Sequence, residues 1–325
     1  VVNGSTSVAP EAAAAVHAAV AELNYVPNRV ARSLASRRTD VIALIVPEST
    51  STVFADPFFA PVVRGVARAL SDTDYTLNLL IASEARPEKT RRYLLGGNVD
   101  GALVVSHHAE DHSYVGVGDS LPIVFGGRPV NPELADAHYV DVDNQASARL
   151  ATSHLSGIGR KRIAHIAGRQ DMPAGIDRLA GWRSIVSAEG LAPAGADAGG
   201  TAPDELVEFG DFTQESGAAA MRRLLDRASD GCLAFDAVFV ANDQMAAGAI
   251  RVLHERGLSV PGDVAVVGYD DDTFASTLTP PLTTVHQPSA DLGARMAEVL
   301  VARLAGRNPP RRTLIPTHLV VRASA

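Results

Sequence analysis

Ala237-Val238-Phe239-Val240 is an apolar run of strand length, and Asp243–Glu255 just beyond it repeats apolar residues at helical spacing. Val264-Ala265-Val266-Val267 then returns to a strand pattern. Strand, amphipathic helix and strand in that order make a βαβ unit, whose parallel strands are covered by helices on both faces. The same alternation recurs outward from here as far back as Asp40. Strands are predicted at Val41–Val46, Thr76–Ile81, Ala102–Val105, Ile123–Phe125 and Arg162–Ala167. Helices are predicted at about Pro61–Asp72, Glu88–Leu95, Gln145–Ser156, Leu179–Glu189 and Gln214–Ala228. Leu314–Arg322 is strand-like and takes the chain back to a sheet. A chain of 325 residues exceeds one ordinary compact domain and suits two lobes. The fold class expected is α/β, with two doubly wound parallel-sheet lobes whose strand ends face a crevice where ligands bind.

Hydrophobic residues make up 46% and charged residues 20%, the balance of a globular protein. No apolar run approaches the roughly 18–20 residues of a membrane helix, so no membrane partner is expected. Val1-Val2-Asn3-Gly4 has neither the basic region nor the apolar core of a secretory signal. The single cysteine, Cys232, excludes an internal disulfide and a cysteine-based zinc cluster, which fits a reducing cytoplasm. His107, His108 and His112 share one loop without spaced carboxylate or cysteine partners, and are expected to be solvated rather than metal-binding. There is no Gly-x-Gly-x-x-Gly after the first strand, no phosphate loop and no Gly-x-Ser-x-Gly elbow. Neither catalysis nor a cofactor is expected.

The net charge of −8 argues against a nucleic-acid partner, but its distribution does not. Residues 1–40 carry four arginines against three acids, and Tyr25–Thr39 holds all four arginines and no acid. Charge alone leaves two readings open, a solvated basic linker or a phosphate-contacting segment. Glu11–Leu23 is an alanine-rich helical stretch, with Ser7-Val8-Ala9-Pro10-Glu11 reading as a capped start. Asn24-Tyr25-Val26-Pro27 ends it, and Asn28–Ser36 offers a second helix too short to stand alone in water.

The run Glu22-Leu23-Asn24-Tyr25-Val26-Pro27-Asn28-Arg29-Val30-Ala31-Arg32-Ser33-Leu34 closely resembles the end of the headpiece and the hinge helix of the lactose/galactose repressor family. Val1-Val2-Asn3-Gly4 resembles the close of that family's recognition helix. Val240–Ala246, Val267–Asp271 and Pro280–Val285 resemble three segments of its core, and His318–Ser324 resembles its usual ending. The resemblance spans essentially the whole chain in the family's order. It implies periplasmic-binding-protein-like lobes preceded by a helix-turn-helix remnant at 1–27, whose front half is expected upstream of Val1, and a hinge at 28–39. It also implies a core at 40–325, with the first lobe at about 40–142 plus 272–303 and the second at about 143–271 plus 304–325.

The function implied is that of a sequence-specific transcription repressor controlled by a small sugar-like effector, with operator DNA and a second copy of the chain as partners. DNA contacts are implied for Asn3, Tyr25, Asn28, Arg29, Ala31, Arg32 and Leu34, with Leu34 wedging a base step in the minor groove. In the family the effector lies between the lobes, and several matching positions suit a sugar. Arg178 offers a planar fork of donors, Asp270 two acceptor oxygens, Asn242 both a donor and an acceptor, and Phe212 an apolar face. Asp270 or Asn242 could instead cap a helix, and Phe212 could belong to the core. Phe58 or Phe59, Arg128 and Gln287 are expected to complete the crevice, with Asp143 capping the helix from Gln145. Many family members have aspartate where Gly127 stands, so no carboxylate contact is expected there. The rival reading is a sugar-binding protein of an uptake system, which shares the two lobes but has no use for the Tyr25–Leu34 motif. Tetramers are not expected, because the sequence stops just after Ser324 without a leucine-rich tail.

Overall fold

The computed structural model describes residues 8–23, 38–82, 87–191, 203–227 and 233–325. Helix α1 (Pro10–Glu22) has proline in its first turn, but Ala9 sits at its N-cap with no side-chain hydrogen bond, so the expected polar cap is not made. The residues expected to contact DNA, Asn3, Tyr25, Asn28, Arg29, Ala31, Arg32 and Leu34, lie outside the described residues, as does the short helix expected at Asn28–Ser36.

The first lobe carries β1 (Val41–Val46), α2 (Thr50–Ala55), α3 (Phe59–Leu70), β2 (Thr76–Ile81), α4 (Pro87–Leu95), β3 (Gly101–Val105), β4 (Ile123–Gly126) and β5 (His138–Val142). The second carries α5 (Asn144–Gly157), β6 (Ile163–Ala167), α6 (Pro173–Ala188), β7 (Val207–Phe209), α7 (Gln214–Leu225), β8 (Ala237–Val240), α8 (Asp243–Glu255), β9 (Ala265–Asp270) and β10 (Thr283–His286). The chain then gives α9 (Ser289–Leu304) and β11 (Arg312–Ile315) to the first lobe and β12 (His318–Val320) to the second. The first sheet, ordered β11-β5-β4-β3-β1-β2, is parallel throughout. The second, ordered β12-β10-β9-β8-β6-β7, is parallel except for β12 on β10.

Strands β3, β6 and β8 are buried along their whole length because helices cover both faces, which explains why they are apolar but for His165 in β6, whose Nδ1 lies 2.8 Å from the Phe239 carbonyl. One face of the first sheet packs Ile42, Leu44 and Leu103 against Val62, Val66, Met296 and Leu300 of α3 and α9. Gly65 and Gly293 make that approach possible, since a β-carbon at either would overlap the carbonyl of Ala290 or Val62. In the second lobe, Met221, Met245 and Leu253 fill one face, and Leu155, Trp182 and Tyr269 the other.

The chain crosses between lobes three times, at 142–144, 287–289 and 316–317. The expected lobe boundaries are corrected accordingly. Strand β10 pairs with β9, which holds residues 272–286 in the second lobe rather than the first. Strand β11 pairs with β5, which holds α9 through Ile315 in the first. The single strand expected over Leu314–Arg322 is two strands in different sheets. Pro316, with no N–H for a ladder, separates them.

Candidate functional site

The carboxyl ends of the two sheets face each other across a cavity of about 450 Å3. Nearly every strand ends on a residue that lines it: Glu48 after β1, Ser106 and His107 after β3, Gly126 and Gly127 at β4, and Asp141 in β5. The second lobe contributes Arg169 after β6, Phe212 after β7, Asn242 after β8, Asp270 closing β9 and Gln287 after β10. This is the position at which open parallel sheets bind ligands. Of the effector residues expected from sequence, Phe58, Phe59, Arg178, Phe212, Asn242, Asp270 and Gln287 are brought together here.

Arg178, in α6, is buried, and the protein fixes its guanidinium on several sides. Nε donates to Asn144 Oδ1 at 2.9 Å, Nη1 to the Ala241 carbonyl at 2.5 Å and Nη2 to Gln287 Oε1 at 2.9 Å. The group lies over the Tyr269 ring, 3.5 Å from its centroid, and Nη1 is 3.8 Å from Asp270 Oδ1. A guanidinium has five N–H donors, so two remain for a ligand. Because the fork is already oriented, little side-chain entropy is lost when a ligand engages it.

Asp270 has φ of 108° and is followed by Asp271 at 60°, so β9 ends in backbone that side chains other than glycine rarely adopt. No helix starts there for Asp270 to cap: the next turn, Ala275–Thr277, is preceded by Phe274. Burial pushes its carboxyl pKa well above the usual range, Arg178 opposes this, and Asp272, Asp243 and Asp56 add to it. Asn242 caps a helix and also lines the cavity. Its Oδ1 accepts from Met245 N at 2.9 Å to cap α8, while the side chain lines the cavity and Nδ2 donates to the Phe212 carbonyl at 3.0 Å. Phe212, at φ of 72°, lays its ring over Gly168 so closely that no β-carbon fits beneath it, and the half-buried ring packs on the second-lobe core.

On the opposite wall Phe59 is buried in the first-lobe core, and Phe58 meets it edge to face at 5.4 Å and is less buried. Asp141 is buried. Its Oδ2 accepts from Arg128 N at 2.8 Å, and its Oδ1 accepts from Val142 N at 2.7 Å and Asn144 Nδ2 at 3.1 Å. Burial outweighs these bonds and raises its pKa to about 6.

Arg128 departs from expectation. It does not line the cavity, and its guanidinium turns to Asp177 of α6, with Nη2 2.8 Å from Oδ1, to form an ion pair between lobes. A second link runs from Gln244 Nε2 to the Ala55 carbonyl at 3.3 Å. The histidine loop is also corrected: His107 and His108 are buried and only His112 is exposed. Burial lowers the His107 pKa to about 4, and its Nε2 lies 3.2 Å from the Gly127 carbonyl. Among the described residues, no group of three or more His, Cys, Asp or Glu is placed to hold a metal. No described helix is long and apolar enough to cross a membrane. Asp143 caps α5 through Ala146 N at 2.9 Å, as expected.

Sequence reasoning missed Glu48, Asp56, His107, Asp141, Asn144, Arg169 and Gln244. For Glu48, His107 and Arg169 the signal was available, because each follows a strand that the sequence did identify.

Residues 152–325 match the family model of the periplasmic binding protein-like domain. The HTH-type transcriptional regulator CelR of Thermobifida fusca is 46% identical over 100% of this chain and 92% of its own length. The ribose operon repressor of Escherichia coli K12 is 34% identical over 94% of this chain and 87% of its own. Among solved structures, a CelR–cellobiose complex is 44% identical with a TM-score of 0.80, covering 100% of this chain and 94% of that one. A lac repressor dimer bound to operator and the anti-inducer ONPF is 26% identical with a TM-score of 0.83, covering 99% and 92%. These relatives are regulators rather than enzymes, and they match this chain across both lobes; the chain belongs to the LacI family of transcription regulators.

Proposed function

We propose that this chain is a transcription repressor whose operator affinity is set by a neutral disaccharide of the cellobiose type, held between the lobes by Arg178, Asn242, Asp270 and Gln287 and flanked by Phe58 and Phe212. The observation that carries the ligand class is the charge of the cavity wall. Glu48, Asp56, Asp141, Asp211, Glu215 and Asp270 line it, against Arg169 and Arg178 among the described residues; even with Asp56 and Asp270 discounted because burial raises them, the acids outnumber the arginines, and both arginines already face carboxylates of the protein. A phosphorylated sugar would bring anion against anion, whereas hydroxyl groups find acceptors in the carboxylates and donors in Arg178 and Asn242. A volume of about 450 Å3 lies within the range of small-molecule sites and has room for two hexose rings. The relative solved with cellobiose supports the choice.

Repression follows by linkage. The sugar favours one arrangement of the lobes, and DNA binding through Arg29, Arg32 and Leu34 favours another, so each ligand weakens the other. The protein works as a homodimer on chromosomal DNA, as the lac repressor dimer on its operator supports, and therefore in the cytoplasm. Calorimetry with cellobiose, glucose and glucose 6-phosphate tests the ligand class. Tighter binding of the phosphate ester than of cellobiose would reject it. A gel shift with operator, with and without cellobiose, separates a repressor from an uptake protein, which would leave DNA unshifted.

A further inference from the structure

We infer that His108 is held as an imidazolium between a carboxylate of each lobe, and that this clamp is the point at which a proton enters the allosteric linkage. His108 lies in the loop after β3 with its side chain 4% exposed. Nε2 is 3.1 Å from Glu48 Oε1, which follows β1 in the first lobe, and Nδ1 is 3.1 Å from Asp171 Oδ2, which follows β6 in the second. A neutral imidazole has one N–H and one bare lone pair, and an ionised carboxylate only accepts. A neutral ring would therefore press a lone pair against a carboxylate oxygen at one end, with the ring itself buried. The imidazolium donates at both ends.

The surroundings favour the cation. Arg169 donates through Nε to Asp171 Oδ1 at 2.9 Å and holds that carboxyl pKa down at about 2, so Asp171 is ionised at any working pH. Ser106 Oγ donates to Glu48 Oε1 at 2.8 Å, and Ala109 N donates to the Asp171 carbonyl at 2.8 Å, which fixes the loop against the second lobe. The neighbouring His107 is kept neutral by burial, and Asp111 and Asp56 add negative charge behind it and behind Glu48. Arg128, paired with Asp177, is the cation on the His107 side.

Glu48, one end of the clamp, lines the cavity, as does Arg169, which holds Asp171 at the other end. Parting the lobes breaks the bond to Asp171 and leaves His108 with one described carboxylate, so the joined arrangement binds the proton more tightly. A sugar that touches both walls favours the same arrangement; this step rests on the cavity being the effector site. Sugar and proton then promote each other's binding, by reciprocity of linkage. The cation is present below the joined-state pKa and lost above it, so effector affinity falls as pH rises.

Histidine 15N spectra of the ligand-free full chain test the clamp itself, with the His108 signal identified by its absence in His108→Gln. Protons on both ring nitrogens at about pH 7.5, and a lower titration midpoint in Asp171→Asn, are expected. A neutral tautomer at that pH, or an unmoved midpoint, overturns the proposal. Should His108→Gln fail to fold, the shift caused by Asp171→Asn identifies the signal in its place. Calorimetry with cellobiose in two buffers of different ionisation enthalpy then tests the linkage. Affinity should fall at least about tenfold between about pH 6 and about pH 9 in the native protein and by less than about twofold in His108→Gln. Equal proton uptake in the two proteins removes His108 from the linkage. Absence of any cellobiose heat rejects the sugar reading, while the imidazole spectra still decide the clamp.

Discussion

Arg178→Lys separates the two jobs of the guanidinium, orienting the site and contacting the ligand. The ammonium keeps the positive charge near Asp270, but a single nitrogen cannot reach Asn144 Oδ1, the Ala241 carbonyl and Gln287 Oε1 at once. At least two buried acceptors lose a donor, at about 1–3 kcal/mol each, so the folded state should lose on the order of 2–6 kcal/mol. Cellobiose contacts made through the two spare N–H groups are lost as well. One charge-assisted bond, worth about 1.5–3 kcal/mol, lowers affinity at least about tenfold. Urea unfolding gives the first quantity and calorimetry at a temperature where the variant is folded gives the second. A variant as stable as the native protein would refute the claim that the three neighbours of Arg178 depend on it for their hydrogen bonds. Unchanged cellobiose affinity in a destabilised variant would leave Arg178 a purely structural residue.

Three further outcomes are expected. Phe212→Ala removes a half-buried ring from the cavity rim and should cost about tenfold in cellobiose affinity by calorimetry, with stability changing by less than about 1.5 kcal/mol because the ring is only partly buried against the core. Stability to urea should fall as pH rises from about 6.5 to about 8.5: Asp272 and Asp243 are raised by burial to about 7 and about 8, so the folded protein holds protons that the unfolded chain has already released, and that preference disappears as the two carboxyls ionise. Below about 6.5 the trend flattens, because His107 and His165, lowered by burial to about 4 and about 3, favour the unfolded chain as it gains protons, and a slope rising with pH above 6.5 would contradict this assignment. Leu34→Ala should weaken operator binding in a gel shift and reduce DNA bending while leaving cellobiose affinity within about twofold, since it removes only the minor-groove wedge.

Much of this site was legible in sequence because strand periodicity and the rule for strand ends act locally. The run Ala237–Val240 gives both β8 and the position of Asn242, and Val264–Val267 gives the strand that Asp270 closes. What escaped depends on partners distant in sequence. His138–Val142 mixes polar and apolar residues and becomes β5 only because β4 and β11 pair with it. Helix α9 does carry Leu292, Met296 and Leu300 at helical spacing, yet nothing local says that it belongs with α3 at the other end of the chain. Arg128 follows a strand just as Asn242 does, but its guanidinium is taken by Asp177, a partner in the other lobe that local sequence does not reveal. His108 looked solvated because both of its described carboxylates, Glu48 and Asp171, are about sixty residues away in sequence.

The placement of the three crossings explains why a sugar in this cavity would be felt beyond it. Asn144 sits at the first crossing and Gln287 at the second, and Arg178 bonds both. At the third crossing Thr317 Oγ1 lies 2.7 Å from Ser147 Oγ, one turn along α5 from Asn144. The segments that must bend when the lobes move are therefore bonded to the same helix start and, through Arg178, to the cavity wall. Lobe closure about such hinges is absorbed by a few residues at the ends of elements. A ligand that engages Arg178 and Asp270 acts on those residues directly, without a chain of intermediates through either core. The links away from the hinge, Arg128 to Asp177, His108 to Asp171 and Gln244 to Ala55, join the same two lobes. They can break without disturbing either sheet. Rigid lobes, hinges tied to the ligand site and separable links between the lobes are what a two-state switch requires, because the free energy of binding is then spent on the angle between lobes rather than dissipated in repacking.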